Sequence, residues 1–170
     1  AAASAMLGWL IVEKLRAGHA TTLGAASGAV AGLVAITPCA GFVGGIAPII
    51  IGFVTSIVCY FALALKTKFN FDDSLDVIAV HLVGGIMGAL MLGLFADTSI
   101  NSLGFDGVLF GGGSELLVNQ VIAIVATFAF SFTITYVVSK VLDKTMGLRV
   151  STEDELVGLD QSQHAEAAYQ

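Results

Sequence analysis

Residues 72–95 read DDSLDVIAVHLVGGIMGALMLGLF. Aspartates and a serine lead into an apolar run whose only ionisable side chain is His81. A helix of about 20 apolar residues spans a hydrocarbon core of about 30 Å. Read as a helix over roughly 75–96, this stretch crosses a bilayer. A titratable group at that depth is costly, and where one occurs it usually lines a path for an ion, a proton or a polar solute. His81 lies roughly 10 Å of helix rise beyond Leu75, well inside the apolar zone.

The rest of the chain also calls for lipid as its solvent. It is 56% hydrophobic and 12% charged, where a soluble domain carries about 25% charged residues. Too little polar surface remains to cover a water-soluble globule. Its 20 glycines and 2 prolines suit helices that pack closely in a bilayer. Cys39 and Cys59 lie in apolar surroundings and read as small buried hydrophobes, not as a disulfide or metal pair. No basic patch points to nucleic acid. The net charge of -6 arises mostly in the tail. The chain opens at Ala1 inside an apolar helical run without a charged flank, which reads as a piece cut within a helix.

Outward from the opening stretch, the sequence divides into apolar segments at roughly 1–13, 21–37, 46–65, 75–96 and 115–141. Lys14 and Arg16 follow the first segment, Lys66 and Lys68 the third, and Lys140, Lys144 and Arg149 stand at or beyond the end of the fifth. The connections after the second and fourth, 38–45 and 97–114, hold no Lys or Arg. With five alternating crossings, every cation falls on one side, which the positive-inside rule makes the cytoplasm. The reading is an all-α integral membrane protein: a transmembrane region over 1–142, entered from outside, and a cytosolic tail over 143–170. The second segment is short and ends at Pro38, which predicts a broken or tilted helix there. The tail is expected to lack a stable fold of its own or to order by docking.

Gly24, Gly28 and Gly32 recur every four residues, as do Gly84 and Gly88. That spacing puts each set on one helical face and favours close helix packing. His81 has Val77, Ile78, Gly84 and Gly85 as helical neighbours, so its surroundings are apolar and, on one side, nearly bare. Two readings fit: a packing histidine bonded to a neighbouring helix, or a wall of a narrow path. The cost of a polar group in lipid favours the second. A neutral imidazole offers one donor and one acceptor, which suits a small polar solute or a proton relay. In an α-helix Asp76 lies about 140° around from His81 and is no direct partner. Asp73, Ser74 and Asp76 read as helix-start caps and charges. His19 and His164 read as solvated. No phosphate loop, acid pair or nucleophile–base spacing supports an enzyme, and no metal or cofactor site is expected.

Three stretches resemble the ammonium transporter (Amt/Mep/Rh) family. LGAASGAVAGLVAITPCAGFVGG is similar to that family's eighth helix and following loop, DDSLDVIAVHLVGGIMGAL to its tenth helix, and GLRVSTEDELVGLDQSQHAEAAY to its cytosolic C-terminal region. The resemblance implies that the five segments correspond to helices seven to eleven of an eleven-helix subunit, the C-terminal half of a bacterial-type Amt protein. It implies homotrimers with one pore per subunit, each lined by two histidines on inverted repeats. His81 matches the tenth-helix histidine and Val77 a pore-lining apolar position. Gly158, Leu159 and Asp160 match a tail motif that docks on the cytosolic face, where PII-type signalling proteins also bind. Leu82 and Ala165 depart from the family pattern, which has Gly at both. The function implied is passage of ammonium or ammonia through a narrow apolar pore, by recruitment, deprotonation and histidine-assisted passage, in a multi-pass plasma-membrane protein completed by an N-terminal half.

Chemistry makes such a site reasonable. With lysine's value of about 10.4 as a stand-in, deprotonating an amine at pH 7 costs about 4–5 kcal/mol. Taking the unpaired ion into a dry interior costs about 20 kcal/mol in the idealised limit and several kcal/mol after relaxation. A narrow apolar pore tips the balance toward losing the proton. A gas channel of the Rh type and a non-transporting ammonium sensor are the alternative readings of the same scaffold.

Overall fold

The computed structural model describes residues 1–70 and 72–167. Its elements are α1 (Ala2–Ala17), α2 (Thr22–Ile36), α3 (Ala47–Phe69), a π-helical turn (Ile78–Val83) running into α4 (Gly84–Phe95), a short 3-10 turn (Val108–Phe110), α5 (Glu115–Thr145), α6 (Thr152–Val157) and α7 (Leu159–Ser162). Among the described residues, three helical stretches are long and apolar enough to cross a membrane: Ala47–Phe69, Ile78–Phe95 and Glu115–Thr145. The α2 helix is apolar but shorter, at 15 residues. The chain divides into two compact units, Ala1–Val125 and Ala126–Gln170.

In the first unit, α1, α2 and α3 pack on one another, and the π-turn and α4 pack on α2 and α3. The glycine stripe of α2 is the contact with α1. A Cβ at Gly28 would meet Trp9 and the Ala5 carbonyl, and one at Gly32 would meet Ala5 and Ala1. Without side chains there, the two backbones approach closely, and the packing role read from the spacing is the one they have. Gly88 of α4 likewise lies against the Ala35 backbone of α2. Two buried clusters result, one of Ala35, Cys39, Val43, Ala47, Ile51 and Met91, the other of Trp9, Ala31, Cys59 and Val80. Both cysteines are free and buried, as expected, and Cys39 Sγ donates to the Gly88 carbonyl at 3.3 Å.

Helix ends outrun the apolar segments. The first helix continues past residue 13 to Ala17, with Lys14 and Arg16 in its last turn, and stops where Gly18 adopts φ 82. The third continues past 65 to Phe69, with Lys66 and Lys68 in its last turn. Cations favour a helix C-terminus, so charge marks the end of the apolar stretch but not of the helix. Glu13 also ties α1 to α2: its carboxylate accepts from Thr21 N at 3.0 Å and Thr21 Oγ1 at 2.8 Å. Thr21 in turn caps α2 through Gly24 N at 2.9 Å. Beyond Ile36 the helix gives way to turns through Phe42, the break expected at Pro38.

In the second unit, the fifth helix runs past 141 to Thr145. The tail is not structureless. Ser151 caps α6 through Asp154 N at 3.1 Å, and Arg149 pairs with Glu155 at 2.7 Å. Gly158, with φ 106, turns the chain directly into α7. Phe128, Phe132 and Tyr136 form a stacked ladder along one face of α5.

Candidate functional site

The segment around His81 is where the structure departs most from a plain helical count. Residues 72–76 are irregular, and the six residues Ile78–Val83, His81 among them, form a π-turn. A π-turn bonds five residues apart and shifts the azimuth of the residues beyond it relative to an α-helix. The 140° separation of Asp76 from His81 therefore does not apply here. The two helix-start aspartates also divide. Asp73 caps, its two carboxylate oxygens accepting from Val77 N at 2.8 Å and Ile78 N at 2.9 Å. Asp76 does not cap by its side chain. Its backbone is left-handed at φ 57, and its carboxylate pairs with Lys66 Nζ at 2.6 Å.

The π-turn has two unlike faces. Ala79 and Val80 are buried at 3% and 4% exposure against the other helices. Val77, at 47%, and His81 are exposed, so both point away from the chain's own core. Past them, a Cβ built on Gly85 meets nothing within 4 Å, whereas one on Gly84 touches Val34 and Cys59. The His81 ring thus stands on a face left open by α2 and α3, flanked by an apolar side chain and a bare glycine. It has no hydrogen-bond partner among the described residues. Leu82, at the position of family departure, is 40% exposed.

The remaining residues singled out by sequence lie elsewhere. His19 is exposed after α1, and His164 is exposed in the tail. Gly158, Leu159 and Asp160 come together at the junction of α6 and α7. The Gly158 carbonyl accepts from Ser162 Oγ at 3.0 Å, and Leu159 is half-exposed. Gly158 has φ 106, which favours glycine, and a Cβ there would also oblige the Asp160 carboxylate to shift. Ala165 takes φ 54, a conformation in which L residues are strained. A shallow cavity of about 260 Å³ lies in the 97–114 connection and the start of α5, lined in part by Asp106, Glu115 and Asn119. No group of three metal-ligating side chains occurs among the described residues. Sequence reasoning missed the Lys66–Asp76 pair. Its available signal was opposite charges flanking the turn between two apolar segments.

Long apolar helices, close-packed through glycine, with one imidazole on an uncovered apolar face, define an all-helical membrane protein. Residues 1–169 match the family model described as Ammonium Transporter Family, and the chain belongs to that family. The ammonium transporter of Bacillus subtilis (strain 168) is 48% identical over 171 residues, covering 100% of this chain. The chain spans about two fifths of the length of such curated relatives, 42% in that case. Among solved structures, Saccharomyces cerevisiae Mep2 superposes with TM-score 0.82 at 34% identity, over 89% of this chain and 35% of that one. A structure described as a sensor Amt protein superposes with TM-score 0.82 at 32% identity, over 98% of this chain and 40% of that one.

Proposed function

We propose that this chain forms the C-terminal part of an ammonium transporter subunit and that His81 lines its pore. The supporting observation is the placement of His81: on the open face of the π-turn, beside Val77 and above Gly85, opposite the face packed on α2 and α3. On this reading, the N-terminal half of the subunit covers that face, leaving a narrow apolar path between the two. Ammonium is recruited at one end, loses its proton, and passes as ammonia with the imidazole bonding to it and relaying the proton. With five crossings, the cationic helix ends and the C-terminus lie in the cytoplasm. Three subunits assemble, and the Gly158–Asp160 junction docks on the cytosolic face, where it answers to a PII-type signalling protein.

The test uses a chimera in which residues 1–170 replace the matching segment of the B. subtilis relative, reconstituted in proteoliposomes. His81→Ala is expected to lower ammonium uptake at least tenfold or to admit potassium. Unchanged uptake and unchanged selectivity against potassium would sink the pore role. The second reading is a sensor, supported by the 98% coverage of this chain by the sensor Amt structure. It predicts tight ammonium binding with negligible flux in the same chimera.

A further inference from the structure

Asp76 does two things at once. Its carbonyl accepts from Val80 N at 2.9 Å, which begins the helical bonding beneath the π-turn. Its side chain reaches a different helix, the last turn of α3, through Lys66 Nζ at 2.6 Å. The Asp73 cap, by contrast, hydrogen-bonds the amides of its own segment. It reaches α3 only through space, by a charge attraction to Lys66 weaker than the direct Asp76 bond. Asp76 holds φ 57, a region that Asp tolerates better than most L residues but still at a cost. The ion pair is part-exposed, with side-chain exposures of 37% and 29%. Pairs of that kind add little to stability. A strained residue held by a weakly stabilising pair at the foot of a π-turn is explained better by geometry than by stability. A change of register at residue 76 rotates everything above it, Val77 and His81 first.

We propose that Lys66 and Asp76 are positioning residues for His81: their ion pair ties the start of the π-turn to α3 and so sets the direction in which the imidazole faces. This rests on the reading of His81 as pore-facing. The pair acts through the backbone, without touching the solute.

The same chimera supports two independent measurements. In the first, His81→Cys is introduced and its labelling rate by a water-soluble methanethiosulfonate is followed, with the unsubstituted chimera as blank. Adding Asp76→Asn or Lys66→Met is expected to change that rate at least threefold, and the reversed pair, Lys66→Asp with Asp76→Lys, to restore at least half of the change. A labelling rate indifferent to breaking the pair, or a change that the reversed pair does not undo, overturns the proposal. In the second, with His81 intact, the single variants lower maximal ammonium uptake per molecule 3–10-fold at little-changed half-saturation, and the reversed pair recovers it. Uptake that stays constant while labelling shifts removes the pair from transport and overturns that half. Failure of the pore reading is seen separately, in His81→Ala, and leaves the labelling measurement decisive for the clamp.

Discussion

Helices α2 and α4 are made of much the same residues, yet their glycines do different work. In α2 the stripe Gly24, Gly28 and Gly32 is buried throughout, pressed on Glu13, Trp9 and Ala5 of α1. In α4 the glycines divide. Gly84 and Gly88 pack on α3 and α2, while Gly85 opens onto empty space beside His81. A small residue removes a side chain from both kinds of surface. In one case a backbone fills the gap, and in the other the gap stays open. Spacing alone does not separate the two.

The strongest way to break that contrast is to fill both kinds of gap. Gly28→Leu is expected to cost at least 1–3 kcal/mol from overpacking against Trp9 and the Ala5 backbone, and to lose most folded protein. Gly85→Leu is expected to leave yield and melting midpoint nearly unchanged while cutting ammonium uptake. Fluorescence-detected size-exclusion after heating, together with uptake, separates them. Equal thermal loss in the two variants would erase the distinction between the faces.

A smaller effect tests whether the irregular start of the π-turn is held locally. Asp73→Ala frees the Val77 and Ile78 amides and is expected to cost about 1–2 kcal/mol, read as a lower melting midpoint. An unshifted midpoint would mean that solvent or neighbouring groups replace the cap without loss. The smallest effect lies in the tail. Ala165→Gly relieves a left-handed alanine and is expected to stabilise the closing turn by about 1 kcal/mol, visible as slower amide exchange at Glu166, whose N–H donates to the Asp160 carbonyl. Faster exchange would show that the added backbone freedom of glycine outweighs the relieved strain.

Much of the architecture was legible in the residues alone. The apolar segments, the break near Pro38 and the buried thiols all come from residue type and local order, because hydropathy and chain stiffness act over a few neighbouring positions. Ala165 stood out for another reason, because the resemblance implied a glycine where the structure has an alanine at φ 54. The site was legible in part. His81 and Val77 stood out, but both faces of their helix are apolar, so no amphipathic pattern told which one looked outward.

By itself the sequence decided that this chain belongs in lipid, which segments are apolar enough to be its helices, and that one imidazole lies within such a segment, since composition and short-range spacing suffice for each. Only the tertiary structure decided that the helix begins in a π-turn, that Asp76 reaches back to Lys66, and that His81 stands on the side left open by α2 and α3. Those depend on which distant segments meet, and the free energies that choose one azimuth over another come from contacts between helices, not from any residue read alone.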